Sequence, residues 1–243
     1  IIDLPDQLDG LDLGEWFSLD AIATGDDLVD VLIGSDVANV FKGLGKRDFI
    51  AGGDGDDELD GGKANDILLG GDGNDIVIGG KGNDKISGGN GDDRLEGKGG
   101  KDTITGEDGD DILLGGGGKD TLLGGDGEDE LLGGGGKDDL NGGGDRDTLD
   151  GGGGKDILDG GAEDDVLTGG GGRDTFVMAK RMGTDTITDF KQGQDRIRLG
   201  AGLSFDQLSF SRQDGNTLIQ NGRDTLGILD GFSESLTERD FSG

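Results

Sequence analysis

A nine-residue repeat constrains this chain more than any other feature of its sequence. From Gly52 to Val177 the sequence divides, without insertion, into 14 copies. Position 1 is Gly, position 6 is Asp and position 8 is apolar in all 14 copies, and less regular copies extend back to Gly25. With 58 glycines, a chain lacking such order would be predicted to be disordered. Strict self-similarity at a short period instead predicts a solenoid, in which each repeat packs on its neighbours.

Each conserved position of the repeat has a physical role. An inward apolar residue at position 8 between two outward residues predicts a three-residue strand. The six preceding residues then form a turn, in which Gly at positions 1, 2 and 4 permits positive φ and close approach of backbones. Such bends aim carbonyl oxygens inward, and Asp adds a carboxylate. Because the chain has no His and no Cys, these oxygen donors favour Ca²⁺ over zinc or copper.

A second, stricter period of 18 residues overlies the first. The hexapeptide GGGGKD begins at Gly115, Gly133 and Gly151. Position 5 alternates in the same way between a mainly basic and a mainly acidic class, with Asn65, Asn83, Lys101, Lys119, Lys137, Lys155 and Arg173 in one class and Asp56, Asn74, Asp92, Asp110, Glu128, Arg146 and Asp164 in the other. The alternation predicts an all-β, right-handed parallel β-roll of two sheets. Nine residues make half a coil, 18 make a full coil, and the two edges differ in charge.

The coil spacing suits a calcium ion between stacked turns. Neighbouring strands lie about 4.8 Å apart, so an ion midway between two loops would be about 2.4 Å from the oxygens of each, within the usual range of Ca–O distances. Seven loops on each edge leave six gaps, which predicts about 12 or more calcium ions. Their charge would offset much of the formal net charge of −32.

The repeat resembles the GGxGxDxUx motif of the RTX (repeats-in-toxin, haemolysin-type) proteins. The resemblance covers residues 25–177, and Gly171–Val177, Asp185–Phe190 and Gly193–Leu199 are similar to the segment that caps the roll in that family. It implies type I secretion through an uncleaved C-terminal signal, and folding on Ca²⁺ outside the cell. We therefore expect a secreted or cell-surface protein whose partners are calcium ions and the type I secretion machinery.

The chain divides into a roll and two flanking segments, and the resemblance assigns the metal ligands. The repeat frame predicts a roll with irregular copies over 25–51 and regular copies over 52–177, and residues 1–24, which include Trp16, are expected to cover its first coil as an N-terminal cap. The resemblance implies a C-terminal cap with a secretion-signal region over 178–243. In the family, the position-6 carboxylates bridge stacked loops, which implies ligands at Asp48, Asp57, Asp66, Asp75, Asp84, Asp93, Asp102, Asp111, Asp120, Asp129, Asp138, Asp147, Asp156, Asp165 and Asp174. Glycine carbonyls complete each shell, which implies Gly71, Gly73, Gly80, Gly82, Gly89, Gly91, Gly116, Gly118, Gly125, Gly127, Gly134, Gly136, Gly152 and Gly154. Backbone strain is expected at five copies that lack a turn glycine, namely at Ala64, Lys98, Glu107, Asp145 and Glu163.

Other functions find less support in the sequence. The negative net charge argues against nucleic acid as a partner, and no apolar run is long enough for a transmembrane segment. Without His, neither a Ser-His-Asp triad nor a zinc-binding HExxH helix can form, so we expect no enzymatic activity. Two alternatives remain. In the first, the basic row formed by Lys101, Lys119, Lys137, Lys155 and Arg173 binds an acidic polysaccharide or a cell surface rather than merely offsetting nearby carboxylates. In the second, the chain is the non-catalytic C-terminal region of a secreted protease or lipase.

The C-terminal segment carries weaker signals. Thr217–Leu229 predicts a β-hairpin with a type I′ turn at Asn221-Gly222, and Ser235–Phe241 predicts a short helix capped by Ser235 or Thr237. For three further carboxylates two interpretations remain open, calcium binding or ordinary turn and surface positions; these are Asp185, Asp189 and Asp195.

Overall fold

Short strands follow one another along almost the whole chain and alternate between two sheets. The computed structural model describes residues 22–24 and 30–242. Trp16 and most of the predicted N-terminal cap therefore lie outside the described residues, as does the start of the first irregular copy at 25–29. Strands are numbered β1 to β26 in chain order.

The first sheet is built mainly from the odd-numbered strands. Its strands in spatial order are β1 (Ile22–Thr24), β3 (Val40–Lys42), β5 (Glu58–Lys63), β7 (Ile76–Lys81), β9 (Arg94–Gly100), β11 (Ile112–Gly118), β13 (Glu130–Gly136), β15 (Thr148–Asp150), β18 (Val166–Thr168), β21 (Asp185–Ile187), β25 (Asp224–Leu229), β24 (Asn216–Asn221) and β23 (Leu208–Gln213). Two short strands, β16 (Gly153–Gly154) and β19 (Gly171–Gly172), continue it beside β13.

The second sheet is built mainly from the even-numbered strands. Its strands in spatial order are β2 (Val31–Ile33), β4 (Phe49–Asp54), β6 (Ile67–Asp72), β8 (Lys85–Asn90), β10 (Thr103–Asp108), β12 (Thr121–Asp126), β14 (Asp139–Gly144), β17 (Ile157–Gly161), β20 (Thr175–Met178), β22 (Arg196–Leu199) and β26 (Phe241–Ser242). Each loop between the sheets thus lies at one of two opposite edges of the solenoid.

The strand register confirms the predicted coil length. Strands of one sheet pair in parallel with partners 18 residues away, as Leu68 pairs with Ile86 and Leu59 with Val77. The chain is therefore a parallel β-solenoid of about nine coils with about 18 residues in each. The chemical alternation at position 5 identified this register correctly.

The strands are longer than the three residues predicted. In β6 the strand continues from Ile67 through the first three residues of the next repeat, to Asp72, and Gly71 pairs with Gly89 of the neighbouring coil. The prediction of a six-residue turn was therefore wrong. A pair of glycines gives no side-chain signal for a strand, but its backbone groups can still join the ladder of hydrogen bonds.

A single file of position-8 side chains forms the core between the sheets. These residues are at most 3 % exposed from Leu32 through Phe176. The core is closed at the C-terminal end by aromatic rings: Phe190 lies 6.3 Å from Phe176 and 5.6 Å from Phe232, measured between ring centroids. Because the core is only one side chain wide, the polar loops at both edges lie directly beside it.

The C-terminal hairpin forms as predicted, but its turn differs. Strands β24 and β25 pair antiparallel, with Asn221 opposite Asp224, so the two turn residues are Gly222 and Arg223. Only Gly222 of these two has positive φ, at 66°, which fits a type II′ turn rather than the predicted type I′. The predicted short helix is a 3₁₀ helix over Glu238–Asp240 that begins after Thr237.

None of the helices in the described part of the chain is long and apolar enough to cross a membrane.

Candidate functional site

The position-6 residues form one buried column along each edge of the solenoid. The backbone N–H of each residue donates a hydrogen bond to Oδ1 of the residue one coil later, as from Asp66 to Asp84 at 2.8 Å and from Asp75 to Asp93 at 2.7 Å. One column contains Asp30, Asp48, Asp66, Asp84, Asp102, Asp120, Asp138, Asp156, Asp174 and Asp195. The other contains Asn39, Asp57, Asp75, Asp93, Asp111, Asp129, Asp147, Asp165 and Asp185.

The second oxygen of these carboxylates is buried without a partner. From Asp57 to Asp165, Oδ2 of every position-6 aspartate has no hydrogen-bond donor, and each of these residues is at most 3 % exposed. A buried carboxylate oxygen that is neither hydrogen-bonded nor paired with a cation is strongly unfavourable. The columns therefore require either a cation or a proton at each coil.

The pKa values of these carboxyl groups reflect the same demand. Burial raises the pKa of Asp93 and Asp111 to about 7 and that of Asp147 to about 8. The hydrogen bond from the preceding coil opposes this rise, whereas the neighbouring carboxylates of the column add to it, as Asp75 does for Asp93. Desolvation and like-charge repulsion both disfavour the ionised form, and a bound cation would reverse both effects.

Glycine at position 1 keeps open a space lined by oxygens. A Cβ atom at Gly124 would lie 2.1 Å from Oδ2 of Asp129 and 2.4 Å from the carbonyl oxygen of Gly142, one coil away. The φ of Gly124 does not lie in the left-handed region, so its backbone conformation does not require glycine. Close approach alone explains glycine here, and the expectation of positive φ at position 1 was wrong.

Glycines at positions 2 and 4 do have positive φ, such as 129° at Gly71 and 132° at Gly73. A Cβ at either would collide with a carbonyl oxygen of the preceding coil, that of Gly53 or Gly55. The carbonyl oxygens at these positions thus face the gap between coils. The five copies lacking a turn glycine keep the left-handed backbone: φ is 81° at Ala64, 72° at Lys98, 90° at Glu107, 65° at Asp145 and 73° at Glu163.

These oxygens suit a hard cation. Within the described residues no three carboxylate, imidazole or thiolate side chains converge, so a bound metal must take several ligands from backbone carbonyls. Calcium accepts mixed carboxylate and carbonyl ligands in flexible geometry. The unpartnered Oδ2 atoms, and the position-1 carbonyls beside them, are the groups that would hold it. The position-1 carbonyls were not predicted, although the invariance of that glycine was a signal for them.

The three C-terminal carboxylates, for which calcium binding and ordinary turn or surface positions were both open, lie in different surroundings. Asp185 continues one column: Asp165 donates to its Oδ1 at 3.4 Å, and burial raises its pKa to about 8. Asp195 continues the other, but its Oδ2 accepts the N–H of Lys191 at 2.8 Å. Asp189 accepts the N–H groups of Gly169 and Gly170 and is a turn residue. The patterns Asp185-Thr-Ile187 and Asp195-Arg-Ile197, which match positions 6 to 8, were the available signal.

Outside the columns, the two edges carry opposite charges on exposed residues. The basic edge, defined by the loops from the first sheet to the second, presents Lys46, Arg47, Lys63, Lys81, Lys98, Lys101, Lys119, Lys137, Lys155 and Arg173. The acidic edge, defined by the loops from the second sheet to the first, presents Asp54, Asp56, Asp72, Asp92, Glu107, Asp108, Asp110, Asp126, Glu128, Asp145, Glu163 and Asp164, with Arg146. The predicted alternation of position 5 thus separates charge across the molecule.

Comparison with known proteins identifies the repeat. The family model for the RTX calcium-binding nonapeptide repeat matches residues 33–68, 60–95, 69–104, 87–122, 114–149 and 150–177, which together make up more than half of the chain. A search of curated proteins found no match.

Two solved structures are similar over part of their length. The extracellular lipase LipA from Serratia marcescens has 19% sequence identity and a TM-score of 0.29, and the match covers 84% of this chain and 39% of the lipase. The AlgE6R3 subunit of the Azotobacter vinelandii mannuronan C5-epimerase has 26% identity and a TM-score of 0.32, with 63% of this chain and 78% of that subunit covered.

Proposed function

This chain belongs to the RTX calcium-binding nonapeptide-repeat family, and from this we propose that it is the calcium-binding β-roll module of a secreted bacterial protein, which folds on Ca²⁺ outside the cell. The observation that carries the proposal is the buried Oδ2 atom without a partner on every column aspartate from Asp57 to Asp165, along both edges. The site is present only when the coils are stacked, so the free energy of calcium binding becomes free energy of folding.

Several features explain why folding would depend on calcium. The core is one side chain thick, the formal net charge is −32, and each coil buries carboxylates next to those of its neighbours. Extracellular calcium modules bind in the range of about 10⁻⁴–10⁻³ M. In a calcium-poor cytosol the chain would stay unfolded, which suits export by the type I secretion machinery. Outside, the filled roll would serve a structural or adhesive role.

We assign residues 178–243 as a C-terminal cap. In support, β21, β22, β25 and β26 extend both sheets beyond the last repeat, and the antiparallel strand β23 ends the first sheet. The rings of Phe205, Phe210 and Phe241 pack together there, with centroids 5.1–6.0 Å apart. We propose no catalytic role, because the chemically distinctive groups are the column carboxylates, and metal binding accounts for them.

Circular dichroism and small-angle scattering test calcium-dependent folding. The full chain is measured in calcium-free buffer with EDTA and then with millimolar Ca²⁺, and we expect a steep change from an expanded coil to a compact β-rich form. Mg²⁺ at the same concentration is the control, since it demands octahedral geometry and loses water reluctantly, and we expect it to leave the chain expanded. A compact β-rich form that persists in EDTA would contradict the proposal.

A second candidate function is binding of an acidic polysaccharide along the basic edge. Its cationic row is exposed, and none of its five members forms an ion pair within the part of the chain that the structure describes; the row is Lys101, Lys119, Lys137, Lys155 and Arg173. Pairing with carboxylates therefore does not account for the row. A linear chain of carboxylated sugars would match its regular spacing of about 4.8 Å.

A strip of position-3 glycines beside the row supports this candidate. Five glycines pair in register across five coils, namely Gly99, Gly117, Gly135, Gly153 and Gly171. None has positive φ, and a Cβ would meet no atom nearer than 3.9 Å at any of them. The fold therefore tolerates side chains here, and their omission leaves a smooth surface along the cations.

Retention on an alginate column tests this candidate. The double variant Lys119→Glu/Lys137→Glu should lose retention while its calcium-loaded circular dichroism stays unchanged. The matched control is Lys85→Glu/Arg94→Glu, which makes the same charge change on exposed residues of the sheet faces and should keep retention. Equal retention of both variants and the parent, or retention of none of them, would contradict binding at the row.

A further inference from the structure

The two edges share the same inner column but differ at the outer loop positions, where the basic edge carries Lys or Arg at position 5 from Lys101 to Arg173. On both edges the position-6 N–H donates to Oδ1 of the next coil, at 2.8 Å from Asp84 to Asp102 and at 2.8 Å from Asp93 to Asp111. On both edges Oδ2 of these aspartates is buried without a partner. The column aspartates are therefore equivalent on the two edges, and any difference in calcium affinity between the edges must come from the outer loop positions.

Position 5 changes the backbone hydrogen bonds of the loop. An aspartate or asparagine there accepts the position-5 N–H of the next coil, as Asp56 does from Asn74 at 2.9 Å on the acidic edge and Asn65 does from Asn83 at 2.8 Å on the basic edge. A lysine cannot accept a hydrogen bond. Where Lys101 occupies position 5, the N–H of Lys119 donates instead to the carbonyl oxygen of Gly100, at 3.3 Å.

The same substitution of acceptor recurs along the basic edge. The N–H groups of Lys137, Lys155 and Arg173 donate to the position-4 carbonyl oxygens one coil earlier, those of Gly118, Gly136 and Gly154, at 3.2–3.3 Å. These carbonyls face the gap between coils. Each oxygen that accepts an N–H has one lone pair fewer to offer a cation.

Charge acts in the same direction. The loops of the basic edge from Gly61 to Asp174 carry no carboxylate besides the column, whereas those of the acidic edge from Gly52 to Asp165 carry exposed Asp or Glu, mostly at positions 3 and 5. Like charges around a divalent cation weaken its binding and opposite charges strengthen it, with an effect that salt screens at exposed positions.

We propose that the acidic edge binds calcium more tightly than the basic edge, and that the residue at position 5 sets the difference. The inference rests on the proposed calcium-dependent function and adds an order to it. The acidic edge fills first and holds the coils together, and the basic edge fills only at higher calcium. The module then has a partly filled state in which the basic edge lacks metal.

The test follows both edges during calcium withdrawal from the loaded, full chain. Backbone amide signals in NMR spectra report on Asp102, Asp120 and Asp138 for the basic edge, and on Asp93, Asp111 and Asp129 for the acidic edge, while a chelator lowers free calcium stepwise. We expect the basic-edge signals to change at roughly tenfold higher free calcium than the acidic-edge signals.

Paired variants separate charge from hydrogen bonding. Lys119→Ala/Lys137→Ala removes two positive charges, and Lys119→Asn/Lys137→Asn also restores a side-chain acceptor. The measured quantity is the ratio of the free calcium concentrations at which the amide signals of the two edges change. We expect the alanine pair to reduce this ratio several-fold and the asparagine pair to reduce it further. Lys85→Asn/Arg94→Asn, on the sheet faces, is the control and should leave the difference unchanged.

Two results would overturn the proposal. One is that, in the parent chain, the amide signals of both edges change at the same free calcium concentration, or that those of the acidic edge change first as calcium is removed. The other is an Asn pair that leaves the difference between the edges unaltered. Failure of the proposed calcium binding would look different from both results. In that case the amide signals of the parent and of every variant would not respond to calcium at all.

Discussion

At the scale of single residues, glycine serves two distinct purposes in this repeat. At positions 2 and 4 it provides a left-handed backbone. The five copies that carry another residue there, such as Ala64, keep positive φ and are therefore strained. At position 1 it provides space beside the column carboxylate. At position 3 of the basic edge neither reason applies, as at Gly135, where a Cβ would meet nothing within 4 Å.

Two glycine-to-alanine variants should therefore have opposite effects. Gly124→Ala places a methyl group 2.1 Å from Oδ2 of Asp129 and should destabilise the calcium-loaded fold by about 1–3 kcal/mol or more. Gly135→Ala meets no atom and restricts the unfolded chain, so it should stabilise by about 0.4–1 kcal/mol. Denaturant titration at saturating calcium measures both. A loss of stability in both variants would contradict the distinction.

At the scale of elements, each coil depends on the coil 18 residues away rather than on its neighbour in sequence. Asp120 accepts the N–H of Asp102 and donates its own to Asp138. Asp111 and Asp129, nine residues away, lie in the other column. Column contacts thus cross between coils along one edge.

The variant Asp120→Asn tests this connectivity. It preserves the shape and the Oδ1 acceptor but replaces Oδ2 by an amide, so calcium should be weakened in the gaps shared with Asp102 and Asp138. The amide signals of Asp111 and Asp129 should keep their calcium response. Asp139→Asn, on an exposed residue next to the column, is the control. Loss at Asp111 and Asp129 with retention at Asp102 would refute the 18-residue stacking of sites.

The stacking of coils could be predicted from the sequence because loops that lie next to each other in the solenoid share the same type of residue at position 5. The alternation from Lys119 to Glu128 to Lys137 records which loops stack. Strand length left no such record, since the glycine pairs that extend β6 carry no side chains. The hairpin turn was displaced by one residue because Asn221-Gly222 can occupy either of two registers, and only the pairing partners of β24 decide between them.

Part of the candidate site was beyond sequence reasoning for a related reason. Side-chain ligands follow from residue type, and the column aspartates were predicted individually. Carbonyl oxygens do not depend on residue type. The invariant glycine at position 1 indicated that space was needed there, but the placement of its carbonyl beside Asp129 followed only from the geometry of Gly124 and Gly142. Insertions near Arg181 and Lys191 displaced Asp185 and Asp195 from the nine-residue frame, although the columns continue through them.

At the scale of the whole molecule, protons and calcium compete for the same columns. The pKa values of Asp93, Asp111 and Asp147 are raised to between about 7 and about 8, mainly by burial. The metal-free folded state therefore binds protons more tightly than the unfolded state does. This contribution to stability is fully present below the unfolded pKa, near 4, and is lost as pH rises through the raised values.

Acid should consequently replace calcium in part. We expect the calcium-free chain to gain β-structure in circular dichroism as pH falls from 8 to 4, and the calcium-loaded chain to bind its ions more weakly over the same range. Reduced net charge acts in the same direction, so 0.5 M NaCl at pH 8 serves as the control; it screens exposed charges without protonating buried ones. Folding by salt alone, or no gain of structure in acid, would contradict a role for the column carboxyls.

The alternation of edges has a consequence for how such a gene can change. Loss or duplication of 18 codons removes or adds one whole coil and returns every later residue to its own edge. Loss of nine codons would exchange the edges for all later repeats, so that Lys137 and Lys155 would join the aspartates and glutamates of the opposite side. The molecule would still form coils, but its charge separation would be divided along its length. Selection for two chemically different edges would therefore favour recombination events that add or remove an even number of nine-residue repeats over those that add or remove an odd number.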